Sequence, residues 1–188
     1  MFSRLNQTLN DYNPSTICCT DDIRAGVVVP VMFKDGDWVV LLTKRTQKVT
    51  SHPGEISFPG GMYEEKDRDL MKTALRECCE EIGVRMKDVR VAGRLDDERT
   101  MTGFVITPYV GVIPYPYTFR LSESEVAYLI YLPFRFLATA TPSMEEARHK
   151  GWVNVVPALY FEGERIWGAT CRILLKFRRI VEDGQVQP

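Results

Sequence analysis

Two apolar runs joined by a tight turn constrain this fold more than any other feature of the chain. Residues 24 to 34 are rich in Val and read as a strand. Asp35-Gly36 is a hairpin signal, and residues 38 to 43, WVVLLT, are the return strand. Pro30 falls inside the first run, which predicts an edge position or a bulge there. A loop with Pro53, Gly54, Pro59, Gly60 and Gly61 follows, and residues 67 to 82 read as a helix.

Further strands are expected over residues 89 to 94, 104 to 113 and 125 to 132. A short helix is expected over 133 to 140. Residues 158 to 167 hold a second hairpin around Glu162-Gly163, and a helix near 169 to 182 closes the chain. A short N-terminal helix over 4 to 11 would be stopped by Pro14. Strands mixed with a few helices predict an α/β chain with its sheet sandwiched between helices. At 188 residues, one domain spanning 1–188, with its core at about 24–182, is the expectation.

Composition narrows the function classes. Hydrophobic residues make up 45% of the chain, enough for a sizeable core. The formal net charge of -1 gives no general attraction to nucleic acid or to an anionic membrane. An anionic substrate would therefore need local cations or a metal. No run of about 18 apolar residues predicts a membrane span. The N-terminus lacks an apolar signal core, and DGQVQP at the other end carries no lipidation signal, so the cytoplasm is expected. Cys18-Cys19 and Cys78-Cys79 are adjacent pairs, and with Cys171 the total is five, which does not describe a disulfide framework.

The stretch ALRECCEEIGV, residues 74 to 84, concentrates the chemistry. Successive helical residues turn by about 100°. With Glu77 at zero, Glu81 lies at roughly +40° and Glu80 at roughly -60°, so the three carboxylates face one way. Met71, Ala74, Leu75, Cys78 and Ile82 cluster on the buried stripe. Cys78 thus reads as a small core hydrophobe. Zinc is disfavoured, because adjacent helical cysteines diverge and only His52 and His149 are available as imidazoles.

Three like charges within one and a half turns repel one another. A solvated acidic face is one reading. The surroundings favour another: carboxylates so spaced suit Mg²⁺ or Mn²⁺, which bind phosphates and keep waters. Arg76 stands where it can orient one glutamate by a bidentate contact. Gly60 and Gly61 let the backbone approach a ligand, and a glycine carbonyl offers a further oxygen.

These residues resemble the Nudix box, G-x5-E-x7-R-E-U-x-E-E-x-G-U, with U aliphatic. Arg76, Glu77, Cys78, Cys79, Glu80, Glu81, Ile82, Gly83 and Val84 meet its second half, Cys78 standing at an aliphatic position. Fourteen residues separate Gly61 from Arg76, one more than in the general box, so its first glutamate falls near Asp67 or Arg68. That insertion is similar to the coenzyme A diphosphatase branch, whose upstream signature is LLTxR(S/T/A)x3Rx3Gx3FPGG. Residues 41 to 61 read LLTKRTQKVTSHPGEISFPGG, with Thr50 where the signature has Arg. VITPYVGVIP (105 to 114) and IWGATCRIL (166 to 174) also resemble segments of this branch.

The resemblance implies an α/β/α sandwich with a mixed sheet and Mg²⁺- or Mn²⁺-dependent cleavage of coenzyme A or a derivative. Adenosine 3′,5′-bisphosphate and 4′-phosphopantetheine would be the products. It implies Glu77 and Glu81 as metal ligands, with Gly61. Glu80 would hold a second ion or serve as the base. Glu125 or Glu123 is a candidate further acid, the other reading being that they flank a strand. Arg45, Gly60, Gly61, Thr50 and His52 are candidate substrate contacts. Arg45 also reads as a surface arginine, and His52 as a packing residue. Arg172, Lys176, Arg178 and Arg179 read as a solvated helix face rather than an RNA site. A homodimer is implied by family analogy alone. Two rivals remain: a Nudix hydrolase of ADP-ribose, NADH or another dinucleotide, and a non-catalytic nucleotide-binding module.

Overall fold

The computed structural model describes residues 2–18, 22–149 and 151–184; Cys19 and the terminal residues 185–188 of the readings above lie outside them. The first hairpin forms as expected. β1 (Ile23–Lys34) returns as β2 (Asp37–Arg45) through Asp35 and Gly36, both with positive φ, the backbone of a hairpin turn. Alternate side chains of these strands enter opposite layers. Val27, Val29, Val31, Val40 and Leu42 join one cluster, and Val28, Met32, Val39 and Leu41 join the other. Both faces are therefore covered, which explains why the two runs carry so little polar alternation.

Helix α2 (Leu70–Ile82) covers the second face through Ala74, Leu75, Cys78 and Ile82. The opposite face carries α1 (Phe2–Asp11), α3 (Phe134–Thr139) and α4 (Gly168–Asp183), through Leu5, Leu9, Leu137, Leu174 and Phe177. The result is an α/β/α sandwich. Its sheet is mixed: β7 (Phe104–Val112) runs parallel to β1, and β5 (Arg90–Arg94) and β8 (Val126–Pro133) are antiparallel additions. Short segments β3 (Ile56–Ser57), β4 (Gly60–Met62) and β6 (Glu98–Arg99) complete the eight strands. A second sheet has three strands, β9 (Ser143–His149), β10 (Trp152–Phe161) and β11 (Glu164–Trp167).

Three expectations need correction. Pro30 does not lie on an edge strand: β1 is central, with β7 on one side and two partners on the other. On that other side, β4 pairs with residues 25–27 and β2 with residues 31–34, so Pro30 sits in the gap, where no ladder needs its missing N–H. Helix α2 begins at Leu70, not at residue 67, because the Asp69 carboxylate accepts from the Lys72 N–H at 2.8 Å and caps it. The second hairpin is longer than expected, since β10 begins at Trp152 and β9 precedes it. Among the described residues no helix is long and apolar enough to cross a membrane.

Candidate active site

Helix α2 presents its three glutamates at graded depth. The Glu81 side chain is 2% exposed, Glu77 18% and Glu80 55%, so the single acidic face of the helical wheel is in fact a ramp from core to solvent. Desolvation by burial pushes the Glu81 carboxyl up to about 8; Arg45 opposes this, and the charges of Glu125 and Glu77 add to it. Burial likewise raises Glu77, against its contact with Arg76.

Arg76 ties the cluster together, but its bidentate contact goes to Asp67 rather than to a glutamate. Nε and Nη2 donate to the two Asp67 oxygens at 3.0 Å each, and Nη1 donates to Glu77 at 2.8 Å and Glu80 at 3.0 Å. Asp67 is buried and also accepts from the Thr73 hydroxyl at 2.9 Å. The Arg76 guanidinium holds the Asp67 carboxyl well below the usual carboxylate range. Asp67 rather than Arg68 is thus the acid before the helix that meets Arg76, and only the fold of the loop ahead of α2 reveals it.

The loop after β2 reaches the same place. Arg45 stands 3.7 Å from Glu81 and donates to the Ser51 carbonyl, tying the loop to the helix. The Gly60 backbone, on the same loop, acts to lower the Glu81 pKa. Gly61 packs against Glu77 so closely that an added Cβ would lie 2.4 Å from the carboxyl carbon and would push the carboxylate from its place. Thr46 receives the neighbouring segment: its N–H donates to the Glu125 carbonyl at 2.9 Å, and its hydroxyl to the Ser124 carbonyl at 2.7 Å. The Ser122 N–H in turn donates to the Glu81 carbonyl at 2.9 Å. Those bonds bring Glu125 near Glu77 and Glu81, whereas Glu123 stays exposed. Thr50 is exposed in the loop, and His52, with φ of 54°, bonds through Nδ1 to Glu55 at 3.0 Å. That bond raises the His52 pKa.

The donors suit a hard cation. Glu81 Oε2 is buried without a hydrogen-bond partner, an arrangement costly for a carboxylate left alone. Every side-chain donor in reach is an oxygen, and the Cys78 thiol points into the core with its pKa raised by burial. Among the described residues no three His, Cys, Asp or Glu side chains are already gathered around one point, because Arg76 stands between Glu77 and Glu80. A cavity of about 530 Å³ opens beside Glu77, lined also by Arg24, Met62, Tyr63 and Glu64. These wall residues carry no motif and were invisible in the sequence. Three basic residues of α4 are engaged within the fold, Arg172 with Glu98, Lys176 with Asp96 and Glu98, and Arg178 with the Leu137 and Ala140 carbonyls, while Arg179 pairs with Asp183 on the solvated face.

Residues 22–164 match the family model described as the NUDIX domain. The chain is 34% identical over 163 residues to an uncharacterized Nudix hydrolase, NudL, of Yersinia enterocolitica, covering 86% of this chain and 82% of that protein. A NudL of Photorhabdus laumondii is 30% identical over 159 residues, 84% of each chain. The MutT protein from Methanosarcina mazei has a solved structure that superposes with a TM-score of 0.55 at 16% identity, covering 93% of this chain and 99% of that one, a likeness of fold.

Proposed function

We propose, from the premise that this chain belongs to the Nudix hydrolase family, that it hydrolyses the pyrophosphate bond of coenzyme A or its derivatives. Nudix hydrolases are enzymes that act on pyrophosphate bonds and generally use divalent metal ions. Here the products would be adenosine 3′,5′-bisphosphate and 4′-phosphopantetheine, or its acyl form. One observation carries the reading: both ends of the loop from Arg45 to Gly61, in the part of the chain similar to the coenzyme A branch, meet the acidic helix. Arg45 meets Glu81, and Gly61 lies on Glu77.

Glu77 and Glu81 would hold Mg²⁺ or Mn²⁺, with the Gly61 carbonyl as a further oxygen. Held there, such an ion would supply charge neutralisation of the pyrophosphate and a water of lowered pKa. The side chains do the rest. Arg76 positions Glu77 and Glu80, and Asp67 positions Arg76. Glu80, solvent-facing, accepts the proton of the attacking water; Glu125 is the second acceptor within the cluster. The planar fork of Arg45 receives a phosphate oxygen. Thr50 and His52 lie on the loop that would border the pantetheine or nucleotide.

The substitution of Thr for Arg at residue 50 favours a second reading, cleavage of ADP-ribose or NADH. Incubation with coenzyme A and Mg²⁺ or Mn²⁺, with products identified by mass, tests the proposal. Both predicted products should appear with wild type, and neither with Glu81→Gln. Full turnover by a folded Glu81→Gln protein would overturn the metal assignment.

A further inference from the structure

Strand β9 carries a charge pattern that is its own complement. It ends the second sheet, in the order β11-β10-β9, and pairs with a strand on one side only among the described residues. The free side of an edge strand offers a row of N–H and C=O groups to another chain. Its sequence, SMEEARH, turns from acidic to basic about Ala147, with Glu145 and Glu146 before it and Arg148 and His149 after it. Glu146 opposes Val155 across the ladder, and Arg148 opposes Val153, so all four side chains share one face with Met144. That face is open to solvent: Met144, Val153 and Val155 are 62%, 50% and 63% exposed.

We propose that β9 pairs antiparallel with β9 of a second copy of this chain, about a twofold axis at Ala147. A twofold perpendicular to the sheet keeps each face on its own side and sets residues symmetric about the axis opposite one another. Glu146 then faces Arg148 of the second copy, and the reciprocal pair forms as well. Slipping by one step in either direction along the even register sets Glu146 against Glu146, or Arg148 against Arg148. Charge therefore selects one register. The stems of both arginines extend the apolar strip formed by Val153 and Val155. Glu145 is already held inside the chain, by the Ser143 and Tyr160 hydroxyls and by Arg165. Among the described residues Glu146 and Arg148 are held only to each other, at 3.2 Å and with side chains 63% and 77% exposed. Exchange of that weak pair for two cross-copy pairs is easy. The three-stranded sheet becomes six-stranded across the two copies.

Charge reversal and mixing test this. In sedimentation velocity at micromolar concentration, wild-type full-length protein should be dimeric. Glu146→Arg and Arg148→Glu should each weaken self-association, on the order of thirtyfold, with an unchanged melting temperature of the monomer fold. Mixing the two variants restores opposite charges at both positions and should give a heterodimer. A monomeric wild type would overturn the proposal. So would two variants as dimeric as wild type, or variants that stay monomeric when mixed.

Discussion

At the scale of single residues, burial rather than motif membership separates the three glutamates. Glu81 has a native pKa of about 8 against an ordinary 4.5, so the folded chain binds more protons than the unfolded one between those values. The contribution of Glu81 to the stability of the metal-free protein should be fully present below about pH 4.5 and be lost as pH rises through 8. Thermal melts from pH 5 to 9 read this directly, and Glu81→Gln should flatten the slope. Divalent ion should reverse it, because a cation replaces the missing partner of Glu81 Oε2. Asp67→Ala should cost on the order of 3 kcal/mol by denaturant titration, since it strips a mostly buried guanidinium of its bidentate partner. Turnover should fall with it, as Arg76 loses its hold on Glu77 and Glu80. Gly61→Ala should raise the Mg²⁺ concentration for half-maximal rate about tenfold or more, because the added carbon meets the Glu77 carboxyl. The helical wheel placed these carboxylates on one side correctly. It did not foresee the Arg45 and Asp67 contacts, which join residues brought together by loop folding.

At the scale of elements, the Val-rich hairpin and the apolar stripe of α2 were legible because a single layer of contacts decides them. Cys78 belongs to that stripe, at 0% exposure among Val28, Met32 and Leu75. Cys78→Ser should therefore cost about 1–3 kcal/mol, without changing metal dependence, as measured by denaturant titration and a Mg²⁺ titration of rate. Strand β9 was not legible. Its residues SMEEARH have weak strand preference, and they are extended only because β10 offers a ladder from Trp152 to Ala158. The first four residues of β10, WVNV, are exposed rather than buried, so they lack the signature of a core strand. Segments of two or three residues such as β3 and β4 exist through pairing with β2 and β1 and leave no periodicity to read.

For the whole molecule, the sandwich serves to bring two distant stretches of chain to one point. The parallel β1–β7 pair forms the middle of the sheet, α2 lies on one face, and the loop after β2 returns over its glutamates. Removing divalent metal with a chelator should leave the fold intact, because both core clusters are apolar, while stopping the reaction; circular dichroism and a rate assay report the two separately. The class of reaction follows from the family and the acidic helix, whereas the substrate rests on the segment from Leu41 to Gly61. A ranking of kcat/KM for coenzyme A, ADP-ribose and NADH, each with Mg²⁺ and with Mn²⁺, tests that claim most directly. Coenzyme A should lead by about tenfold or more, a margin of about 1.4 kcal/mol in transition-state binding. Faster cleavage of ADP-ribose or NADH, with coenzyme A left intact, would contradict it.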